Sequence, residues 1–439
     1  MTVATFPLEA QSWLGRLPSG WQVKPLKHVV QVNPETLPDS TDPDWRMSYA
    51  DISSVSLGQG IVGAEEISFA DAPSRARRLV EAGDTLVSTV RTYLRAITVV
   101  REPPENLVAS TGFAVLRPGS EIDANFLGYF TTSDAFVNAV VAQSVGVSYP
   151  ATNASDIVRL PIAFPELDQQ QKIAAFLDRK TAEIDGLIDR KRRLLALLAE
   201  KRTALITRAV TKGLNPDAPM KDSGIEWLGE IPAHWDIVRI RHVTRKIEQG
   251  WSPQCENRQA SIGEWGVLKV GCVNGDTYDE TENKALPVDL PPKKQYEVRV
   301  GDVLVSRANT KELLGSATLV NKTQGKILLC DKLYRLETNA SVHNGFLVRV
   351  LRSRAARFQY ERDATGTSGS MQNIGQDTLK DLRFACPPFE EQKEIETRLI
   401  TAMEQFGQLQ DRIESAVSRL EEYRSALITN AVTGQIKVA

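Results

Sequence analysis

Two stretches of the 439-residue chain place side chains suited to reading nucleic-acid bases directly after a short apolar run. Arg91, Tyr93 and Arg95 follow Gly83-Asp84-Thr85-Leu86-Val87-Ser88, and Arg307, Asn309 and Lys311 follow Gly301-Asp302-Val303-Leu304-Val305-Ser306. Arginine donates two parallel hydrogen bonds to guanine, asparagine pairs in the same two-point manner with adenine, and lysine meets phosphate as a point charge. Arg91, Arg307 and Asn309 are therefore the preferred base readers, with Lys311 on phosphate. Ordinary solvated loop side chains are the competing explanation. A second segment lies further along each half: Gly146-Val147-Ser148-Tyr149, and the run from Gly366 to Asn373. There Ser148, Tyr149, Gln372 and Asn373 add base or phosphate contacts, or simply line polar turns. Arg75, Arg77 and Arg78 form a cluster that binds phosphate or stands as a solvated charged face.

Catalytic chemistry is not legible in the same way. Leu57-Gly58-Gln59-Gly60-Ile61-Val62-Gly63 has the spacing of a phosphate-cradling glycine loop. A buried strand does not precede it and Pro73 interrupts the helix that must follow, so no cofactor role is assigned. No Walker A sequence occurs, and neither Asn33-Pro34-Glu35-Thr36 nor Cys386-Pro387-Pro388-Phe389 has the form used by amino-methyltransferases. The four cysteines, Cys255, Cys272, Cys330 and Cys386, are widely spaced and read as small buried hydrophobes, with no metal ligand or disulfide among them. No catalytic residue, metal site or cofactor is expected in this chain.

The elements that position the candidate residues emerge from self-comparison. Trp13-Leu14-Gly15-Arg16-Leu17-Pro18-Ser19-Gly20-Trp21 recurs as Trp227-Leu228-Gly229-Glu230-Ile231-Pro232-Ala233-His234-Trp235, with His28-Val29 and His242-Val243 at the same distance beyond. Each Gly-Asp opens a turn and then a strand. The closest match ends each half, where Arg202-Thr203-Ala204-Leu205-Ile206-Thr207 recurs as Arg424-Ser425-Ala426-Leu427-Ile428-Thr429, and it runs back without a gap to Pro165 and Pro387. A duplicated sequence predicts a duplicated structure.

Both repeated segments read as long helices. Ile173, Leu177, Ile184, Leu187, Leu194, Leu198 and Leu205 form a heptad seam in the first. Ile395, Leu399, Ala402, Phe406, Leu409, Ile413, Ala416, Leu420, Tyr423 and Leu427 form one in the second. Asp168 with Gln171 resembles a capping box, and Lys212-Gly213 is a helix stop. Each helix is expected to run for about forty residues, or ~60 Å. Two such helices related by a pseudo-twofold axis pair antiparallel. Between them, residues 21–164 and 235–386 carry short strand-like runs separated by Gly, Pro, Asn and Asp. The expected fold is α+β: two mainly-β domains joined by two long antiparallel coiled-coil helices at 165–213 and 387–439. Residues 1–20 and 214–234 carry the repeat phrase, the latter behind the proline-containing linker Leu214–Pro219.

Composition fits a folded chain, with 42% hydrophobic and 25% charged residues and a net charge of −2. The charge is uneven: residues 21–160 are net acidic, whereas the first helix and residues 235–386 are net basic. Duplex binding depends on local cation clusters rather than the total. No run is apolar enough for a membrane helix and no signal peptide opens the chain, so a cytoplasmic protein is expected.

The phrase from Lys221 to Trp235, then a variable domain, then a proline-led long helix ending in Ala-Leu-Ile-Thr, resembles the type I restriction-modification specificity subunits over essentially the whole chain. That resemblance implies two target-recognition domains, each reading one half of a split, asymmetric sequence in double-stranded DNA. It also implies docking of two adenine-methyltransferase subunits and two ATP-driven motor-nuclease restriction subunits, which bring S-adenosylmethionine, ATP and Mg²⁺. The chain itself is then not an enzyme. Domains fixed on a rigid spacer meet DNA only at a fixed separation, which leaves unread base pairs between two half-sites. A methyltransferase or nuclease with unrecognised motifs, and a coiled-coil scaffold, are the alternatives.

Overall fold

A computed structural model describes residues 13–56, 60–146, 149–366 and 371–438. The chain divides into two compact units, one of residues 1–192 with 414–439 and the other of residues 193–413. These units are not the two tandem halves. The division cuts each long helix near its middle, and the proline-containing linker at 214–219, expected to separate the halves, lies inside the second unit. No helix among the described residues is long and apolar enough to cross a membrane.

Each unit is built on the same frame. In the first, an antiparallel four-stranded sheet runs in the order Val30–Val32, Phe113–Pro118, Thr85–Ser88, Ile97–Val99. In the second, the order Thr244–Gln249, Leu333–Thr338, Val303–Ser306, Ala317–Leu319 repeats it. Both Gly-Asp turns thus open a fully buried inner strand, as their apolar character requires. The two units differ in a second sheet, four-stranded in one and three-stranded in the other, each containing one parallel pair. A two-stranded ribbon closes each domain, Gln22–Pro25 on Pro161–Phe164 and Asp236–Arg239 on Arg383–Cys386.

Two helices follow the first frame, α1 (Ala124–Thr132) and α2 (Asp134–Ala142), before the long α3 (Leu167–Lys212, 46 residues). Their counterparts are α4 (Asn344–Leu351), α5 (Arg354–Asp363) and the long α6 (Phe389–Val432, 44 residues). Within each unit the long helices run antiparallel. Asp185 pairs with Arg424 and Arg192 with Glu421 in the first, and Ile206 and Ala209 share a core with Leu399 and Ile395 in the second.

Polar side chains fasten both ends of each long helix, buried glutamines at the starts and half-buried threonines at the far ends. At the start of α3, Gln170 is fully buried; its Oε1 accepts from the Asp123 backbone N–H at 2.8 Å, and its Nε2 donates to the carbonyls of Glu121 and Pro165. Gln392 does the same in α6, accepting from the His343 N–H at 2.7 Å and donating to Ser341 and Pro387. At the far ends, Thr429 Oγ1 accepts from the first N–H of α2 and Thr207 Oγ1 from the first N–H of α5. These bonds satisfy helix-end donors that otherwise lack partners. Past each end a glycine with positive φ lies under a tryptophan of the repeat phrase. A Cβ on Gly213 would meet Trp235 at 3.2 Å, and one on Gly434 would meet Trp21 at 3.1 Å.

Two sequence expectations are corrected here. Asp168 is not an N-cap, because the helix has already begun at Leu167 and Asp168 pairs with Lys172 one turn on. The heptad seam is also only partly buried. Ile173, Leu177, Ile184, Ile188 and Ile206 are inside, but Leu187, Leu194 and Leu205 in α3 and Leu409 and Tyr423 in α6 are exposed. The helix ends pack against domains as well as against each other, so no strict heptad face is kept along the whole length.

Replacing Gln170 or Gln392 with leucine leaves one backbone N–H and two carbonyls without their partner, a loss of about 1–3 kcal/mol. The thermal midpoint of the full chain is expected to fall in either variant; an unchanged midpoint would show that these glutamines do not fasten the helices.

Candidate nucleic-acid interface

In the first unit the buried strand Thr85–Ser88 delivers the chain to an exposed tip. Val90 bridges to Ala151, and the Arg91 N–H donates to the Pro150 carbonyl at 2.8 Å. The strand-end loop and the segment preceding α3, chosen separately from the sequence, therefore lie side by side. Arg91 and Arg95 both adopt left-handed backbone, with φ of 49° and 55°, and bracket the single helical turn Thr92–Leu94. The Arg91 guanidinium sits over the Tyr149 ring, 4.7 Å from its centre. Tyr149 and Tyr93 are exposed.

Arg95 has a different task. Its guanidinium pairs with Asp134, whose carboxylate also accepts from the Ser425 hydroxyl. Burial works against that carboxylate, but the bonds from Ser425 and Arg95 hold it below its ordinary range. Arg95 is accordingly placed as an anchor of the loop rather than as a base reader.

The second unit repeats the juxtaposition. Ala308–Asn309 pairs antiparallel with Gln372–Asn373, and the Ile374 N–H donates to the Arg307 carbonyl. The Arg307 guanidinium lies 6.0 Å from the centre of the Tyr334 ring; its Nη1 reaches the Asp331 carbonyl at 3.4 Å, and its Nε is buried without a hydrogen-bond partner. Gln372 and Asn373 are half-buried, and Lys311 is exposed. Asn309 is buried instead. Its Nδ2 donates to Asn274 Oδ1 at 2.9 Å and to the Leu313 carbonyl, and its Oδ1 accepts from the Thr310 N–H. In this placement the amide that the sequence offered to adenine is used within the protein, which makes Asn309 a positioning residue.

The arginine cluster does not form one patch. Arg77 and Arg78 are neighbours on the strand Ala76–Leu79 and point to opposite faces. Arg77 pairs with Asp39 and covers Phe69, Arg78 donates to Thr36, and Arg75 donates to the Tyr49 hydroxyl. Burial lowers the Arg78 pKa. Ser148 and the stretch Leu57-Gly58-Gln59 lie outside the described residues. The thiols of Cys272 and Cys330 are buried; burial pushes Cys330 up to about 12 and Cys386 to about 11, which leaves little thiolate at neutral pH.

Sequence reasoning missed the ion pairs that brace both loops. Asp84, read only as a turn residue, is buried and holds Arg117 through two bonds of 2.9 and 3.0 Å. Asp302 likewise meets Arg335, which also pairs with Glu248. The recurrence of Gly-Asp did not signal these pairs, because each carboxylate also closes its own turn, Asp84 accepting from the Glu81 N–H and Asp302 from the Arg299 N–H.

Residues 18–193 match the family model of the type I restriction modification DNA specificity domain. The first part of the chain thus carries a type I restriction-modification specificity domain. The chain is 30% identical over 231 residues to the EcoEI specificity subunit of Escherichia coli, covering 52% of this chain but only 38% of that relative. It is 23% identical over 325 residues to the StySPI specificity subunit of Salmonella potsdam, covering 73% of this chain and 67% of the relative. A chain solved in work on complex assembly and conformational transition of the type I R-M system aligns with a TM-score of 0.69 and 26% identity, over 96% of this chain and 100% of that one. The HsdS subunit from Thermoanaerobacter tengcongensis shares the fold, with a TM-score of 0.53 and 24% identity over 96% of this chain and 98% of its own. The likeness of fold thus extends beyond the matched domain to both domains and both long helices.

Because Asn309 supports its own loop, Asn309→Ala is expected to cost about 1–3 kcal/mol of stability. Lys311→Ala, at an exposed side chain, should stay within about 0.5 kcal/mol. Thermal unfolding of the two variants checks this; equal midpoints would restore Asn309 as a free recognition residue.

Proposed function

We propose that this chain is the sequence-specific DNA-binding subunit of a type I restriction-modification complex, with each unit reading one half of a bipartite, asymmetric target in double-stranded DNA. The observation that carries this reading is the repeated juxtaposition of a strand-end loop with the segment before a long helix. In both places an arginine rests on an aromatic ring, Arg91 on Tyr149 and Arg307 on Tyr334. Stacking orients a guanidinium: the exposed Arg91 keeps an edge for guanine, whereas the half-buried Arg307, whose Nη1 reaches the Asp331 carbonyl, meets a base through Nη2. The units differ outside the shared frame, which suits two different half-sites.

Chemistry on the DNA then belongs to partners: two methyltransferase subunits using S-adenosylmethionine and two restriction subunits using ATP and Mg²⁺. Leu187, Leu194 and Leu197 of α3 are 40%, 45% and 59% exposed, and exposed leucines on a helix this long favour coverage by another subunit. A protein working on chromosomal DNA in this way is placed in the cytoplasm.

Methylation profiling of cells carrying variants of the chain with its methyltransferase partner tests the reading. Arg307→Ala should relax one half-site and Arg91→Ala the other, each by roughly tenfold to a hundredfold in discrimination, the range set by ~1–3 kcal/mol for a two-point base contact. Lys311→Ala should weaken binding to all sequences alike and flatten the salt dependence. Relaxation of both half-sites by one substitution would refute the division of labour.

The gap-free correspondence from Pro165 to Thr211 and Pro387 to Thr433 supports a spacer role for the helices. Deleting about one helical turn at matching positions of both should shorten the unread spacer and leave both half-sites unchanged. A complex that still methylates with its original spacer would rule this out.

A further inference from the structure

Tyr93 and Leu94 stand out on the first unit's loop because nothing in the fold uses them. They are 53% and 51% exposed, at the tip of a turn whose base is tightly held. Thr92 is buried and its hydroxyl shares a 2.9 Å hydrogen bond with Ser144, Arg95 is paired with Asp134, and Ile97 is in the core. Arg91 and Arg95 on either side occupy left-handed backbone, a conformation that non-glycine residues adopt only when their surroundings impose it. Two large apolar side chains are thus pushed into solvent on a rigid support, beside the Arg91–Tyr149 stack.

The matching positions of the second unit carry no such pair. At the same steps after the strand-ending serine, Ser88 or Ser306, the first unit has Tyr93-Leu94 and the second has Lys311-Glu312. The loop around Lys311 places its positive φ at Gly315, where no side chain is strained. The first domain is net acidic, so phosphate attraction is a poor source of affinity there. Side chains that insert between base steps offer another source, since a partly unstacked step exposes apolar base faces for an aromatic or aliphatic side chain to cover.

We infer that Tyr93 and Leu94 form an apolar wedge that enters the duplex at the half-site read by the first domain and unstacks one base step. The inference rests on the DNA-reading assignment of this loop and adds the manner of contact. It makes recognition asymmetric: the first half-site is read partly through its deformability, the second through charge and hydrogen bonds.

The test uses the full chain with its methyltransferase partner and target duplexes carrying 2-aminopurine in turn at each position of the first half-site. One step other than the methylated adenine should brighten on binding. The double variant Tyr93→Ser, Leu94→Ser should return that step to the fluorescence of free duplex and weaken binding about tenfold, whereas Tyr93→Phe and Lys311→Ala should retain the signal. Persistence of the signal in the double variant, brightening confined to the methylated adenine, or loss of the methyltransferase partner from the double variant would each overturn the wedge. The Arg91→Ala variant separates the two readings. If it leaves the first half-site's preference intact, base reading by this loop fails; if it relaxes that preference while the double variant keeps the signal, only the wedge fails.

Discussion

Everything in this fold depends on how the ends of two long helices are held. A helix of more than forty residues cannot bury itself, and its terminal backbone groups must find partners elsewhere. Here side chains near each end tie the long helices to the short ones: Gln170 and Gln392 accept from the N–H groups at the starts of α1 and α4, and Thr429 and Thr207 from the first N–H groups of α2 and α5. A buried amide that makes all its hydrogen bonds admits one geometry, because any shift leaves polar groups unpaired in a low-dielectric interior. The domain contacts at the helix ends are thereby set by a few side chains, while the rest of each domain is free to differ.

That freedom is visible in the sheets. The frame sheet keeps its strand order in both units, and its inner strand leads into the loop of Arg91 or Arg307. The second sheet changes strand number, and the loop tip changes from apolar and strained to charged and relaxed. Ion pairs brace the start of each inner strand, Asp84 with Arg117 and Asp302 with Arg335. Variation is concentrated where contact with a ligand is expected, and constancy where the helices dock.

Much of this was legible beforehand. The repeat phrase, the Gly-Asp turns and the matched helices predicted two mainly-β domains on two long helices, and the loops that carry Arg91 and Arg307 follow the strands as expected. Individual side chains were less legible. Arg95 and Asn309 have the chemistry of base readers, yet Asp134 and Asn274, distant in sequence, occupy them. Nothing local distinguishes an arginine that faces solvent from one that meets a carboxylate folded back from another element. The leucine seam failed for a related reason: heptad spacing marks apolar periodicity, and only packing decides whether Leu187 or Ile188 turns inward.

The amino-acid sequence by itself determined the duplication, the element types and the position of the loops after the Gly-Asp strands, because periodicity, turn residues and repeated phrases are local properties of the chain. Tertiary structure alone decided the pairing of elements into units. The compact units exchange helix ends, each combining the start of one long helix with the end of the other. No local signal encodes that exchange. It arises because each helix end finds its buried hydrogen-bond partner and its tryptophan cover only after the chain has folded, on a surface assembled from segments far apart in sequence.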